Sequence, residues 1–130
     1  MNEKIAFCGN IIVDQVKMIP SWPDKGMLVP ISSVKRAVGG SVSNTAVDLK
    51  TLDPSVAVQA IGAVGADDNG DFAVRFLESR GIDCAAVRKT SERPTSFTDV
   101  MTVEGTGERT FFNLHGADSL LVPEDIDVAK

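Results

Sequence analysis

The stretch Ala37-Val-Gly-Gly-Ser-Val-Ser-Asn-Thr-Ala46 constrains this chain more than any other. Short, turn-rich extended runs lie before it. A helical pattern starts directly after it, with Val42, Ala46 and Leu49 four and three residues apart on one face. Adjacent glycines let a backbone turn sharply into a helix or approach another group closely. Ser41 or Ser43 can accept hydrogen bonds from the first free N–H groups of that helix. A helix start also offers unpaired donors and partial positive charge to a polar ligand. A tight, capped turn explains Gly39-Gly40 by itself, so the rest of the chain must decide whether the turn is also a site.

Around that turn, elements alternate. Ile5-Ala-Phe-Cys-Gly9 reads as a short buried parallel strand with both faces covered. Ile11 to Val16 is a second extended piece interrupted by Asp14, and Pro20-Ser-Trp-Pro-Asp-Lys-Gly26 is a turn cluster. Met27 to Val34 reads as extended and half-exposed, with Pro30 suited to an edge. The first helix should run to about Leu52 and stop at Asp53-Pro54, because a residue before proline avoids helical angles. Val56 to Val64 reads as a second buried strand. Gly65-Ala-Asp-Asp-Asn-Gly70 is the loop after it, and a second amphipathic helix begins around Asp71. Phe72, Ala73, Phe76 and Leu77 form its apolar face, Asp68 and Asp71 suit its positive end, and Arg80-Gly81 ends it. Strand, excursion, helix, strand, helix is the order of an α/β layer with right-handed crossovers. Beyond Thr95 the pattern changes to alternation. Phe97, Met101 and Val103 fall on one side, and Thr98, Val100 and Thr102 on the other. A turn at Glu104–Glu108 and a return through Arg109–Leu114 complete a hairpin.

Composition removes several classes of function. The 130 residues suit one domain, and 43% apolar with 24% charged residues is ordinary for a globular chain. A net charge of −5, one Trp and no Tyr argue against a nucleic-acid surface or a base-stacking platform. Cys8 and Cys84 lack metal-ligand spacing and fit a reduced cytoplasm better than a disulfide framework. Asn2-Glu3-Lys4 does not read as a signal peptide, and no apolar run is long enough to span a membrane.

Asp14 is the first candidate for chemistry. A carboxylate in an apolar extended run is either at a solvated edge or placed to grip ligand hydroxyls. The Gly65–Gly70 loop is equally a solvated turn or a site loop. Arg109 reads as a solvated hairpin residue and Cys8 as core packing. His115 is the only histidine, and no triad forms around it. No G-x-x-x-x-G-K-[ST] occurs, and adjacent glycines are a poor match to G-x-G-x-x-G.

In order and spacing, four segments resemble the ribokinase-like (PfkB) family of carbohydrate and nucleoside kinases. They are Gly9-Asn-Ile-Ile-Val-Asp14, Gly39-Gly40-Ser-Val-Ser-Asn44-Thr-Ala46, Ile61-Gly-Ala-Val-Gly65-Ala-Asp67-Asp-Asn-Gly70, and Phe76-Leu-Glu-Ser-Arg-Gly81-Ile82. Glu108-Arg109-Thr-Phe is also a familiar strand start in that family. Val42 and Asp53-Pro54 depart from the pattern. The resemblance covers all 130 residues but only the N-terminal portion of the family pattern.

The resemblance implies a partial three-layer α/β sandwich with a small β-sheet lid. Core elements would lie at about 4–10 and 39–93, and lid strands at about 11–36 and 94–115. It implies that Asp14, Gly39, Gly40 and Asn44 bind the hydroxyls of a phosphate acceptor, a sugar or a nucleoside. ATP and Mg2+ would serve the intact family enzyme, transferring a γ-phosphoryl group to that hydroxyl. The family's catalytic Gly-Ala-Gly-Asp and its Asn-x-x-Glu element are not found here; Gly65-Ala-Asp67 and Gly116-Ala-Asp118 each lack the second glycine. This fragment alone is therefore expected to be inactive, with no catalytic, cofactor or metal residues of its own. A cytoplasmic chain that self-associates, or dimerises through the lid, is the accompanying expectation, with a non-catalytic binding or dimerisation module as the rival from another class.

Overall fold

The computed structural model describes residues 4–127; Asn2, Glu3 and Val128 lie outside them. Seven strands and two helices follow in the order β1 (Lys4–Cys8), β2 (Ile12–Ile19), β3 (Ser33–Gly39), α1 (Ser41–Leu52), β4 (Ala57–Gly65), α2 (Asp68–Ser79), β5 (Ile82–Thr90), β6 (Phe97–Val103) and β7 (Arg109–Leu114). Two short 3-10 turns close the described chain at Ala117–Leu120 and Pro123–Asp125. No helix among the described residues is long and apolar enough to cross a membrane.

The core is a parallel sheet in the order β1-β4-β5. Two successive crossovers step the same way along it, and this places α1 and α2 together on one face. On β4, Val58, Ala60 and Val64 point toward the helices, where they meet Val42 and Ala46 of α1 and Ala73 and Leu77 of α2. Leu77 is fully buried, so Leu77→Ala should cost about 3 kcal/mol. Phe72 and Phe76 flank this stripe instead of forming its centre. Each ring carries a guanidinium, Arg36 at 4.5 Å and Arg80 at 5.1 Å from the centroid.

The segments expected as lid strands form a second sheet of four strands in the order β3-β2-β6-β7. Its two central strands, β2 and β6, run parallel, and each carries an antiparallel partner outside it. The β6–β7 hairpin expected from the sequence is present, and so is the α/β architecture with a separate second sheet, which has one strand more than the core sheet. One row of partners crosses this whole sheet: Ala37 beside Asp14, Asp14 beside Thr98, and Thr98 beside Asn113.

Several local expectations are corrected. β1 is not covered on both faces; it is the edge of the core sheet, and Ile5 is 43% exposed. Cys8 is exposed and not core packing. Met27 to Ser32 forms no strand, and β3 begins at Ser33. α2 begins at Asp68, three residues before the expected start. Strand β5 was not legible in the sequence because Asp83, Arg88 and Lys89 interrupt its apolar run at an exposed sheet edge.

Candidate functional site

Asp14 and the glycine pair, 25 residues apart in sequence, meet where the second sheet joins the core. β2 and β3 pair in a register that puts Ile12 opposite Gly39 and Asp14 opposite Ala37. The Asp14 carboxylate lies over Gly39: a Cβ at that glycine would fall 2.6 Å from Asp14 Oδ2. Any side chain at position 39 would therefore push the carboxylate away. Gly40 follows with φ +94° and ψ 160°, a conformation essentially restricted to glycine, and a Cβ there would sit 2.4 Å from the Asn10 carbonyl oxygen. Asn44 is one turn into α1, with its side chain exposed and its N–H donated to the Gly40 carbonyl at 3.0 Å.

Asp14 is not on an edge strand, since β2 is flanked by both β3 and β6. Burial pushes its pKa up, and the Thr98 hydroxyl beside it pulls the other way without cancelling the rise. It enters no ion pair among the described residues. A half-buried carboxylate that neither caps a helix nor pairs with a cation keeps lone pairs for a hydroxyl donor.

The start of α1 is capped, though not by the serines expected from the sequence. Asn10 Oδ1 accepts from the Ser41 backbone N–H and from Ser41 Oγ, both at 2.7 Å. Ser43 is buried and its hydroxyl has no partner among the described residues. Asn10 escaped sequence reading because a cap 31 residues upstream has no local signal.

The loop Gly65–Gly70 is an internal fastening. The Asp67 carboxylate caps α2 by accepting from the Gly70 N–H at 2.9 Å. It also accepts from the Thr95 N–H at 2.8 Å and the Thr95 hydroxyl at 2.6 Å. Thr95 Oγ1 in turn accepts from the Gly65 N–H at 2.9 Å. Burial raises the Asp67 pKa, but the hydrogen bonds from Thr95, Gly70 and Asn69 outweigh it and leave it lowered. The two glycines are close approaches: a Cβ at Gly65 would meet the Thr95 nitrogen at 2.4 Å, and one at Gly70 the Gly65 oxygen at 2.2 Å.

The remaining candidates are structural or exposed. Gly116 donates to Ser96 Oγ at 2.9 Å, Ala117 donates to the Pro94 carbonyl at 2.8 Å, and Ser96 Oγ donates to Asp118. His115 Nδ1 lies 3.7 Å from Asp118 Oδ2, so serine and histidine both reach the aspartate and not each other. Arg109 is exposed, as expected. Burial and the nearby Asp125 raise the Cys8 thiol; burial, Glu78 and Asp83 push Cys84 up to about 11. Neither thiol is activated. A cavity of about 290 Å³ lined by Gln59, Ile61, Ala85, Ala86, Asp125 and Asp127 opens on the other face of the core sheet, away from the helices. No three His, Cys, Asp or Glu side chains are grouped as metal ligands among the described residues.

The sequence and the fold have counterparts among known proteins. The chain is 31% identical over 124 residues to an ATP-dependent ribose-1-phosphate kinase of Halopiger xanaduensis, covering 95% of this chain and 41% of that one. It is 26% identical over 110 residues to a nucleoside kinase of Methanocaldococcus jannaschii, covering 85% of this chain and 36% of the other. The structure of ribokinase from Giardia lamblia superposes with a TM-score of 0.81 at 28% identity, covering 96% of this chain and 37% of that one. The chain thus spans about two fifths of the length of these relatives. The family model for pfkB family carbohydrate kinases matches residues 2–130, and the chain belongs to that family.

Proposed function

We propose that this chain is the acceptor-binding and lid portion of an ATP-dependent sugar kinase, with Asp14, Gly39, Gly40 and Asn44 contacting the acceptor's hydroxyls. The observation that carries this reading is the half-buried Asp14 carboxylate laid over Gly39, with no cation to pair with. Vicinal hydroxyls donating to such a carboxylate would replace the water it loses on burial. The names of the ribose-1-phosphate kinase, nucleoside kinase and ribokinase relatives support an acceptor with a pentose ring. In this proposal the lid sheet closes over that ring, and the core sheet with its two helices carries the glycine turn. ATP and Mg2+ would be held by groups outside these 130 residues. The pure chain should therefore show no phosphoryl transfer, and turnover of ATP with D-ribose would refute that part.

The direct test is a thermal-shift series with D-ribose, D-ribose 1-phosphate and adenosine on the wild-type chain and on Asp14→Ala. Ligand at one hundred times its Kd stabilises by about 2.7 kcal/mol, enough for a clear shift. A shift with a sugar that disappears in Asp14→Ala supports the assignment. A shift with adenosine alone would move the chain to the nucleoside kinases. Equal shifts in both proteins, or none with any ligand, would overturn the acceptor site.

A second reading, a dimerisation module, is favoured by one feature. Phe111 and Phe112 are 61% and 59% exposed on the outer lid strand β7. Exposed apolar side chains on an edge strand are a template for self-association. A monomer by light scattering would remove this reading. A cytoplasmic location is part of the proposal, in keeping with two free cysteines.

A further inference from the structure

We propose that Asn113 and Thr98 are positioning residues for the acceptor, forming a hydrogen-bonded relay across β7, β6 and β2 that fixes the Asp14 carboxylate over Gly39. This rests on the reading of Asp14 as an acceptor contact and adds residues to which neither the sequence motifs nor the glycine turn points.

The sheet register supplies the relay. Asp14, Thr98 and Asn113 are direct partners in one row, on one face of the lid. Asn113 Nδ2 donates to Thr98 Oγ1 at 2.8 Å and to the Phe97 carbonyl at 3.2 Å, so two acceptors hold the amide in one orientation. A threonine hydroxyl has a single proton. With its oxygen occupied by the amide, that proton is free for Asp14, which when ionised can only accept. Thr98 is 8% exposed, so its hydroxyl has little water to turn to. The register sets Thr98 directly beside Asp14 and its hydroxyl lowers the carboxylate's pKa, so the proposed relay runs one way, from amide to hydroxyl to carboxylate. It sets the carboxylate's rotation while leaving other lone pairs for a ligand. Ala37, the fourth member of the row, adds no competing polar group. The charged residues on that face, Lys35 and Arg109, stand one and two register steps away, opposite Val16 and Thr102. Hydroxyl recognition by a carboxylate is directional, so a freely rotating Asp14 would bind more weakly than a fixed one.

The test uses the 130-residue chain and three variants: Thr98→Val, which keeps the shape and removes the hydroxyl; Thr98→Ser, which restores it; and Asn113→Leu at an exposed site that leaves folding intact. Carbon-13 NMR of the Asp14 carboxylate is followed through a pH titration without ligand, and D-ribose binding is measured by calorimetry. Thr98→Val should move the Asp14 titration upward and weaken D-ribose about tenfold, the loss of one hydrogen bond to a charged group. Thr98→Ser should return both to the wild-type values. Asn113→Leu should move both in the same direction by less. An Asp14 titration identical in all four proteins would overturn the relay. If the titrations move as expected while the wild-type chain binds no D-ribose, the relay stands and the acceptor reading fails.

Discussion

The turn into α1 and the turn into α2 are built from similar letters. Each follows a strand, each is glycine-rich, and each has an acidic residue close by in space. At the α2 turn every one of those polar groups is consumed within the chain: Asp67 takes the Gly70 N–H and both Thr95 donors, and Thr95 takes the Gly65 N–H. At the α1 turn the cap comes from Asn10, and Asp14 lies across Gly39 without a helix to cap or an ion pair among the described residues. One turn fastens the segment leading into β6 to the core; the other keeps a carboxylate in reserve. A glycine-rich strand-to-helix turn thus becomes a candidate site only when its acidic neighbour is left with unspent capacity.

The largest effect separating the two turns is expected from alanine at their glycines. Gly40→Ala combines a backbone conformation closed to other residues with a Cβ 2.4 Å from the Asn10 oxygen. It should cost on the order of 4 kcal/mol, read as a lower urea midpoint. Gly65→Ala adds a clash with the Thr95 nitrogen without a positive φ, and about 2 kcal/mol is expected. A larger loss at Gly65 than at Gly40 would reverse this ranking and place the greater strain in the fastening.

Asp67→Ala comes next, at about 3 kcal/mol against the 2 kcal/mol of Gly65, because it removes a helix cap and two donors' acceptor together. Its pH dependence fixes the sign. The folded-state pKa of Asp67 is lowered, so its contribution is complete above the ordinary carboxylate value. The contribution disappears as pH falls through the lowered one. The stability gap between wild type and Asp67→Ala should thus be constant near neutrality and close below about pH 4. A gap that stays open in acid would mean that Asp67 acts through packing and not through its charge.

Much of this was legible in the chain. Hydrophobic spacing from Val42 to Leu49 located α1, Asp53-Pro54 marked its end, and alternation from Phe97 to Val103 located β6 and its hairpin partner. Local chemistry dictated those elements, so local reading found them. What escaped depended on partners distant in sequence. Asn10 caps a helix 31 residues later, and Thr95 locks a loop 28 residues earlier. The sequence could not tell whether β1 lay inside the core sheet or at its edge, because burial of a strand depends on which strands flank it. Asp14 was picked out because a carboxylate amid Ile12, Val13 and Val16 is costly unless water or a partner reaches it. Thr98 and Asn113 were not, because an alternating strand carries such residues routinely.

The smallest stability effect is the most discriminating, and it belongs to Asp14→Asn. Burial raises the pKa of Asp14 in the folded chain, the reverse of Asp67. A raised folded-state pKa means that stability from this group is present below the ordinary carboxylate value and lost as pH rises through the raised one. At neutral pH the ionised carboxylate is therefore a burden on the fold. Asp14→Asn keeps the shape, removes the charge, and should leave stability unchanged within about 0.5 kcal/mol or raise it. Binding of D-ribose should fall in the same protein, and Gly39→Ala should behave alike, since its new methyl group meets only the end of the Asp14 side chain. Should Asp14→Asn instead destabilise the chain by more than about 1 kcal/mol at pH 7, Asp14 would be a structural residue of the same kind as Asp67, and the distinction between the two turns would be lost.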